Sequence, residues 1–340
     1  MRALVTGATG FIGGHLVDLL VEQGWPVRGL VRGPSNARWR WGERAQAIVG
    51  DVHDLASLRA AAEGVDIVFH LAANVTDWGP WRDFQSTTVD GTHNLLRAAS
   101  QARVARFVHF STVSVYDDRF ARHNRVLSEE APHEPPGDRH LGYYAKSKAM
   151  AEQLVWQYHN EGKTAATVLR PSLVYGPRDE SILPRLIDYL RSPLATWIGR
   201  GNPVVDPIEV SDVARCALAA ATCERAIGRA YNVSPPGETG VRDFYRAVCR
   251  ALDISPPRVT IPYAAVAGLT MLVENGARLL RTRQPPMLTW AGLSLFSEDR
   301  RHDPSRAAHE LGWRAEVSLD DGMSRYAEWL KSQSSTGSGR

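Results

Sequence analysis

Tyr144 and Lys148 are spaced so that together they could carry out acid–base chemistry. They lie in the segment Tyr-Ala-Lys-Ser-Lys, and a separation of four residues places both side chains on one face of a helix. A phenol is a poor acid at neutral pH because its ordinary pKa is ~10, but a nearby ammonium group favours the phenolate and lowers that pKa. The pair could therefore pass a proton to or from a carbinol oxygen while a hydride moves to or from a nicotinamide.

A glycine-rich loop near the amino terminus could bind the phosphates of a dinucleotide. It runs Thr6-Gly7-Ala8-Thr9-Gly10-Phe11-Ile12-Gly13, after an apolar strand and before a helical pattern. Its first glycine allows a tight turn, its second lets the backbone approach the pyrophosphate, and its third lets the helix pack closely on the strand. The N–H groups and the positive dipole end of the helix then face the phosphates. The predicted contacts are Gly7, Thr9, Gly10, Phe11 and Ile12.

The end of the second strand indicates which dinucleotide fits. An acidic residue there favours NAD, whereas a basic residue favours NADP by pairing with the 2′-phosphate. The strand ends Val31-Arg32-Gly33 without an acidic residue, so we predict that Arg32 selects NADP (NADPH) over NAD. The alternative is that Arg32 is an ordinary solvated side chain, since only four of the 40 basic residues are lysines.

Further cofactor contacts are expected where the next two strands end. Asp51 and Val52 follow the third strand and are placed to meet the adenine. Leu71, Ala72 and Ala73 follow the fourth strand and offer small residues beside the cofactor.

The apolar pattern predicts the elements that would hold these residues. Predicted strands at 2–6, 27–31, 47–49, 67–71, 106–110 and 166–169 alternate with helical patterns, whereas 171–201 is rich in Pro and Gly. This order predicts an α/β fold, a doubly wound parallel Rossmann sheet with a smaller C-terminal substrate-binding lobe. We assign 1–175, with 205–235 returning to it, to the NAD(P)-binding domain, 176–204 and 236–330 to the lobe, and 331–340 to a disordered tail.

The composition argues against several classes of partner. The net charge is only +3, so no nucleic-acid partner is expected. The three cysteines form no paired motif and the histidines have no ligand spacing, so we expect reduced thiols, no metal and a cytoplasmic location. No apolar run reaches ~18 residues, so no integral membrane segment is expected. An amphipathic helix at 262–280 could line a pocket or lie on a membrane surface.

The glycine loop and the Tyr–Lys pair, in this order, resemble the signatures of the extended short-chain dehydrogenase/reductase superfamily, which includes nucleotide-sugar epimerases and dehydratases. The resemblance continues through 169–177, 208–214 and 311–313. It implies a third catalytic Ser or Thr after the fifth strand, which Thr112 matches best, with Ser111 and Ser114 as alternatives. It also implies cofactor contacts at Pro171 and Val174.

Two positions depart from the family pattern. Thr88 stands where the family usually has an Asn that helps to position the active-site helix and a proton-relay water. Asp117 stands where Gly is common. Neither change affects Thr112, Tyr144 or Lys148.

Within the superfamily, segments 74–81 and 286–297 resemble the 3β-hydroxysteroid dehydrogenase/isomerase branch, which includes sterol and 2-alkyl-3-oxoacid reductases. This resemblance implies interconversion of a secondary alcohol and a ketone on a hydrophobic, sterol-, β-keto- or polyketide-like molecule. The expected substrate contacts are Trp78, Ser114 and Tyr175, although Trp78 and Trp81 could equally be loop-packing residues. The alternatives are a nucleotide-sugar epimerase or dehydratase that retains its NAD(P), and a non-catalytic NADP sensor. A homodimer through 91–102 and 144–158 is also possible.

Overall fold

The computed structural model describes residues 1–33, 40–76, 78–117, 126–133, 142–280, 282, 284–286 and 288–337. The strands are β1 (Ala3–Thr6), β2 (Val27–Val31), β3 (Gln46–Val49), β4 (Ile67–His70), β5 (Arg106–Phe110), β6 (Ala166–Pro171), β7 (Leu173–Tyr175), β8 (Trp197–Ile198), β9 (Val204–Val205), β10 (Pro207–Glu209), β11 (Ala230–Val233), β12 (Thr239–Gly240) and β13 (Thr260–Ile261). Seven of them form a parallel sheet in the order β11-β6-β5-β4-β1-β2-β3, which confirms the predicted doubly wound fold.

Helices cover both faces of this sheet. They are α1 (Phe11–Glu22), α2 (Leu55–Ala62), α3 (Trp81–Phe84), α4 (Gly91–Gln101), α5 (Tyr143–Asn160), α6 (Ile182–Arg191), α7 (Val210–Thr222), α8 (Val241–Leu252), α9 (Tyr263–Leu279), α10 (Trp290–Ser297), α11 (Ser305–Leu311) and α12 (Leu319–Gly337). Successive side chains of a strand point to opposite faces. Ala3 and Val5 of β1 therefore pack with α1 and α7, whereas Leu4 packs with α2, α4 and α5.

The strand order reverses between β1 and β4. Parallel sheets bind ligands in the crevice that opens at the carboxyl ends of the strands at such a reversal. Thr6 and His70 are the last residues of these two strands and lie in register with each other. The fold thus places the glycine loop and segment 71–73 at one crevice.

The second lobe has its own apolar core, which contains Leu183, Phe244 and Met323. Helix α6 contributes to this core, although the Pro- and Gly-rich composition of 171–201 did not predict a helix. Pro184 is the third residue of α6, where the missing N–H costs no hydrogen bond within the helix. The assignment of 176–204 and 236–330 to substrate binding stays a prediction.

A π-helical turn, Gln85–Asp90, joins α3 to α4. The sequence pattern predicted a helix only from residue 91 and did not reveal this wider turn. Turns of this kind occur frequently at functional sites. Thr88, which replaces the usual Asn, lies within it.

The carboxyl-terminal segment differs from the prediction. Residues 331–337 continue α12 rather than forming a disordered tail, while 338–340 lie outside the described residues. The Ser332 and Ser334 hydroxyls donate hydrogen bonds to the carbonyl oxygens of Trp329 and Leu330. Serine is common in turns, but here each hydroxyl finds its hydrogen-bond partner within the helix.

The described part of the chain offers neither a membrane-spanning helix nor a cluster of metal ligands. None of its helices combines the length and the apolar character needed to span a bilayer. No group of three or more His, Cys, Asp or Glu side chains in it could hold a metal ion.

Candidate active site

Helix α5 places Tyr144, Lys148 and Glu152 in one row. The three residues are spaced by four, so their side chains follow one another along one helix face. Gly142 precedes the helix, and its carbonyl oxygen accepts the N–H of Lys146. The row therefore begins in the first turn and runs inward toward the sheet.

Thr112 and Tyr144 meet at the end of β5. Thr112 caps the short 3₁₀ turn Val113–Val115, because its Oγ1 accepts the N–H of Ser114 at 3.2 Å. The same hydroxyl lies near enough to the phenol of Tyr144 to lower its pKa. Burial raises the pKa of Tyr144, and the Thr112 hydroxyl lowers it only in part. The sequence predicts that Lys148 lowers this pKa; instead the pKa of Tyr144 is raised, because loss of water contact opposes the phenolate.

Lys148 is buried one helical turn after Tyr144. Its side chain is 3% exposed, and Nζ donates to the carbonyl oxygen of Phe110 at 2.7 Å. Burial lowers the pKa of Lys148 to about 8, although Glu152 opposes the shift. The structure thus brings together all three predicted catalytic residues.

Arg170 on β6 pairs with Glu152, the last residue of the row. Neither residue was identified from the sequence. The Arg170 guanidinium contacts the fully buried Glu152 carboxylate at 2.5 and 3.3 Å. Arg170 also donates to the Tyr116 hydroxyl at 2.8 Å. Burial alone would raise the pKa of Glu152, but the Arg170 charge holds it below its ordinary value. The spacing of Glu152 from Lys148 was the available signal; Arg170 on β6 had none.

The glycine loop has the close contacts that its sequence predicts. Gly7 has φ +68°, and a Cβ atom there would lie 3.1 Å from the Ala72 nitrogen. A Cβ atom on Gly13 would lie 2.1 Å from the Gly7 carbonyl oxygen, which leaves no room for any side chain. Gly10 is exposed at the start of α1, while Thr9, Phe11 and Ile12 are half-buried. An open backbone turn at a helix N-terminus fits the pyrophosphate of a dinucleotide.

The residues expected at the adenosine lie at the ends of β2 and β3. Arg32 is exposed. Burial raises the pKa of Asp51, but hydrogen bonds from His53 and the charge of Arg32 hold this pKa below its ordinary value. The Asp51 carboxylate accepts the His53 N–H at 2.9 Å. Val52 is buried. Arg28 is the arginine within β2, and its guanidinium donates to the Glu63 carbonyl oxygen at 2.6 Å, so it does not face the expected adenosine site.

The remaining predicted cofactor residues lie near the crevice with different exposure. Leu71, Ala72 and Ala73 are half-buried directly after β4. Pro171 and Val174 are buried at the end of β6 and in β7.

Of the three predicted substrate residues, Ser114 lies beside Thr112, and Trp78 contacts the second lobe. Ser114 is half-buried, and its Oγ lies 3.3 Å from the Thr112 hydroxyl. Trp78 joins the loop after β4 to the end of α9, since its Nε1 donates to the Thr282 carbonyl oxygen at 2.9 Å. The Arg278 guanidinium lies 5.1 Å from the Trp78 ring centre. Trp81 instead packs on Tyr143.

Tyr175 is not a cleft residue, contrary to the prediction. It is 1% exposed and its ring packs edge-on against Phe244. A Cβ atom on Gly322 would lie 2.4 Å from the Tyr175 hydroxyl oxygen, so α12 covers it closely. Tyr175 therefore belongs to the core of the second lobe.

Comparison with known proteins places this site in a family. Residues 3–234 match the family described as NAD dependent epimerase/dehydratase family. A Stigmatella aurantiaca protein named 4-hydroxy-2-methyl-3-oxo-4-farnesyl-3,4-dihydroquinoline-1-oxide ketoreductase is 32% identical, with 95% of each chain covered. A Mycobacterium tuberculosis protein named 3 beta-hydroxysteroid dehydrogenase/Delta 5-->4-isomerase is 30% identical over 92% of this chain and 85% of its own.

Solved structures show the same fold. MoeE5 in complex with UDP-glucuronic acid and NAD is 26% identical and superposes with a TM-score of 0.74, covering 98% of this chain and 100% of its own.

Proposed function

Because the chain belongs to the NAD-dependent epimerase/dehydratase family, it is an NAD(P)-dependent enzyme, and we propose that it interconverts a ketone and a secondary alcohol on a hydrophobic small molecule. The observation that carries this proposal is that the Thr112 hydroxyl lies near enough to the Tyr144 phenol to lower its pKa, while Lys148 is buried one helical turn further along the same helix face. These three groups can hold a substrate oxygen and exchange one proton with it.

The chain's own residues account for the proton side of the reaction. Tyr144 keeps its proton at neutral pH because its pKa is raised, so its phenol is an acid that can donate to a substrate carbonyl oxygen. Once a substrate is bound, the Thr112 hydroxyl can turn its single proton from the phenol to the same substrate oxygen and donate a second hydrogen bond to it. The positive charge of Lys148 favours the phenolate that remains after transfer.

The glycine loop, Asp51 and segment 71–73 would hold the dinucleotide, with its pyrophosphate at the start of α1. A nicotinamide held there supplies or takes up the hydride at the substrate carbon. A protonated Tyr144 suits reduction of the ketone, because the oxygen needs a proton as the carbon gains a hydride.

We also propose that the enzyme prefers NADPH. Arg32 is exposed at the end of β2, and no acidic residue at that strand end competes for the ribose hydroxyls. A guanidinium can bind a 2′-phosphate through two parallel hydrogen bonds.

A sterol-, β-keto- or polyketide-like substrate is the class best supported. The Stigmatella relative is named for reduction of a farnesylated ketone. In this chain, Trp78 is hydrogen-bonded to the segment that follows helix α9, and the exposed leucine side chains of α9 offer an apolar surface.

A nucleotide-sugar epimerase or dehydratase with retained NAD(P) is the second candidate. The likeness to MoeE5, whose structure holds UDP-glucuronic acid and NAD, favours it. The segment from Thr112 to Ser114 lacks the acidic pair that the resemblance implies for a dehydratase.

One screen separates the two candidates. Purified enzyme is mixed with NADPH or NADH and with sterol ketones, β-keto acids, prenylated ketones or UDP-sugars. We expect stoichiometric loss of NADPH with a hydrophobic ketone. Conversion of a UDP-sugar without net change in cofactor would replace our proposal by the second candidate.

We further propose a homodimer formed through α4 and α5, which pack against each other on one face of the sheet. Light scattering of the purified chain should give twice the monomer mass; a monomer at all concentrations would exclude this arrangement.

A further inference from the structure

The hydroxyl of Thr6 determines the protonation of His70. Thr6 Oγ1 accepts the backbone N–H groups of Leu71 and Ala72, each at 3.2 Å. A hydroxyl has two acceptor lone pairs and one proton. Both lone pairs are used, so the Thr6 proton must be donated to Nδ1 of His70, 2.8 Å away. Nδ1 therefore carries no hydrogen.

The opposite edge of the His70 ring gives the same answer independently. Thr92 Oγ1 donates to the carbonyl oxygen of Thr88 at 2.5 Å, and a carbonyl can only accept. The Thr92 proton is thus committed, and the contact of 2.9 Å between Thr92 Oγ1 and His70 Nε2 needs a hydrogen on the nitrogen. Both edges assign the neutral Nε2–H tautomer.

This series of hydrogen bonds is a fixed tether and cannot conduct protons. Every proton in it points from Thr6 toward Thr88, and the series ends at a backbone carbonyl that cannot pass a proton on. Burial lowers the pKa of His70 to about 3, and the charge of Lys148 acts in the same direction. The titratable groups near the ring are Lys148 and His109, whose own pKa burial also lowers.

The tether encloses segment 71–74 at the carboxyl end of β4. Thr6 holds its first two amides, and the Thr88 hydroxyl accepts the Asn74 N–H at 3.0 Å. The other end of the tether is the π-helical turn Gln85–Asp90, against which α5 packs. The buried His70 ring thus connects β1, which carries the glycine loop, to the π-helical turn against which α5 packs.

We propose that His70, fixed as the Nε2–H tautomer, is a positioning residue that holds segment 71–74 in the geometry needed to receive the cofactor. The role rests on the proposed use of Leu71, Ala72 and Ala73 to line the dinucleotide. It gives Thr88 a structural part: its hydroxyl holds Asn74 and its backbone carbonyl anchors the tether.

His109 provides a matched control on the neighbouring strand. It pairs in register with His70, its ring centre lies 5.5 Å away, and both side chains are 1% exposed. Neither ring nitrogen of His109 has a hydrogen-bond partner among the described residues. Substituting His109 therefore removes an equally buried imidazole without breaking a hydrogen bond.

The first test is spectroscopic and needs no substrate. Long-range ¹H–¹⁵N correlation spectra of the full ¹⁵N-labelled chain report the tautomer of each imidazole. We expect His70 to remain the neutral Nε2–H form from about pH 5 to about pH 8, where an ordinary histidine titrates. An Nδ1–H tautomer, or protonation within this range, would overturn the proposal.

The second test compares His70→Leu, His70→Gln and His109→Leu by NADPH fluorescence titration. We expect His70→Leu to weaken NADPH binding about tenfold or more relative to His109→Leu, because it leaves the buried Thr6 hydroxyl proton without an acceptor and the Thr92 hydroxyl without a donor. His70→Gln should recover most of the loss, since its amide offers one acceptor and one donor. Equal losses for His70→Leu and His109→Leu contradict the proposal. If His70→Leu does not fold, the tautomer decides, and NADPH binding by His70→Gln that is about tenfold or more weaker than by His109→Leu also contradicts the proposal. Ketone reduction enters neither test, so failure of the proposed reaction is seen separately.

Discussion

The Nζ atom of Lys148 donates a hydrogen bond of 2.7 Å to the carbonyl oxygen of Phe110. Phe110 is the last residue of β5, and Thr112 follows two positions later. This bond therefore fixes helix α5 to the strand end that carries Thr112. The Thr112 hydroxyl also lies near the Tyr144 phenol and lowers its pKa, so the same two elements meet at a second place.

The pH dependence of turnover should report the charge on Lys148. Burial lowers the pKa of Lys148 to about 8, so the ammonium form dominates below that pH and is lost above it. Tyr144 stays protonated over the same range because its pKa is raised. We expect kcat/KM to fall on the alkaline side near pH 8, measured as NADPH consumption with a saturable ketone.

Lys146 supplies the control for this profile. Its ammonium lies 4.7 Å over the Trp81 ring, away from the row of Tyr144 and Lys148. Lys146→Arg should leave the alkaline limb unchanged. A wild-type profile that stays flat to about pH 10, where an ordinary lysine titrates, would show that the charge of Lys148 is not required.

Loss of the buried carboxylate of Glu152 should destabilise the fold strongly. Glu152→Gln leaves the 4% exposed Arg170 side chain without a counter-charge, which typically costs about 3–5 kcal/mol. Glu224→Gln makes the same chemical change in the Arg106–Glu224 pair, whose carboxylate is 86% exposed, and should cost at most about 1 kcal/mol. Urea unfolding measures both; equal free energies of unfolding would mean that the buried pair is not structurally important.

The glycine loop offers a test with adjacent residues. Gly13→Ala would place a methyl group 2.1 Å from the Gly7 carbonyl oxygen, so we expect loss of NADPH binding or of folding. Gly14→Ala meets only the ends of the Arg40 and Arg178 side chains, at 3.3 Å and beyond, and these can move. Its stability should match or exceed the parent, since Ala favours a helix over Gly by ~1 kcal/mol. Unimpaired NADPH binding by Gly13→Ala would contradict the packing described.

Cofactor preference should depend on Arg32. Arg32→Asp removes the group proposed for the 2′-phosphate and offers a carboxylate to the ribose hydroxyls. We expect the ratio of kcat/KM for NADPH to that for NADH to fall about 10- to 100-fold. Arg28→Gln should leave the ratio unchanged, because the Arg28 guanidinium binds the carbonyl oxygens of Ala61 and Glu63. A wild-type preference for NADH would refute the assignment of Arg32.

Local sequence order allowed the fold to be predicted, and it led to the three proposed catalytic positions, which stay a prediction. The glycine spacing and the Tyr–Lys spacing each lie within one strand–loop–helix unit, so neighbouring residues determine their geometry. Contacts between distant segments were not predictable. The pairing of Glu152 with Arg170 and the tether from Thr6 to Thr88 depend on which strands become neighbours in the sheet. Tyr175 was misplaced for the same reason, because the covering Gly322 comes from the last helix.

The central claim is that Tyr144 donates the proton in a net reduction by NADPH. The most direct measurement is turnover of NADPH with a hydrophobic ketone by the parent chain and by Tyr144→Phe, together with NADPH affinity. We expect Tyr144→Phe to lose about 10²-fold or more in kcat, with NADPH affinity changed less than about twofold. Retained turnover in Tyr144→Phe, or conversion of substrate without net NADPH consumption by the parent chain, would contradict the claim.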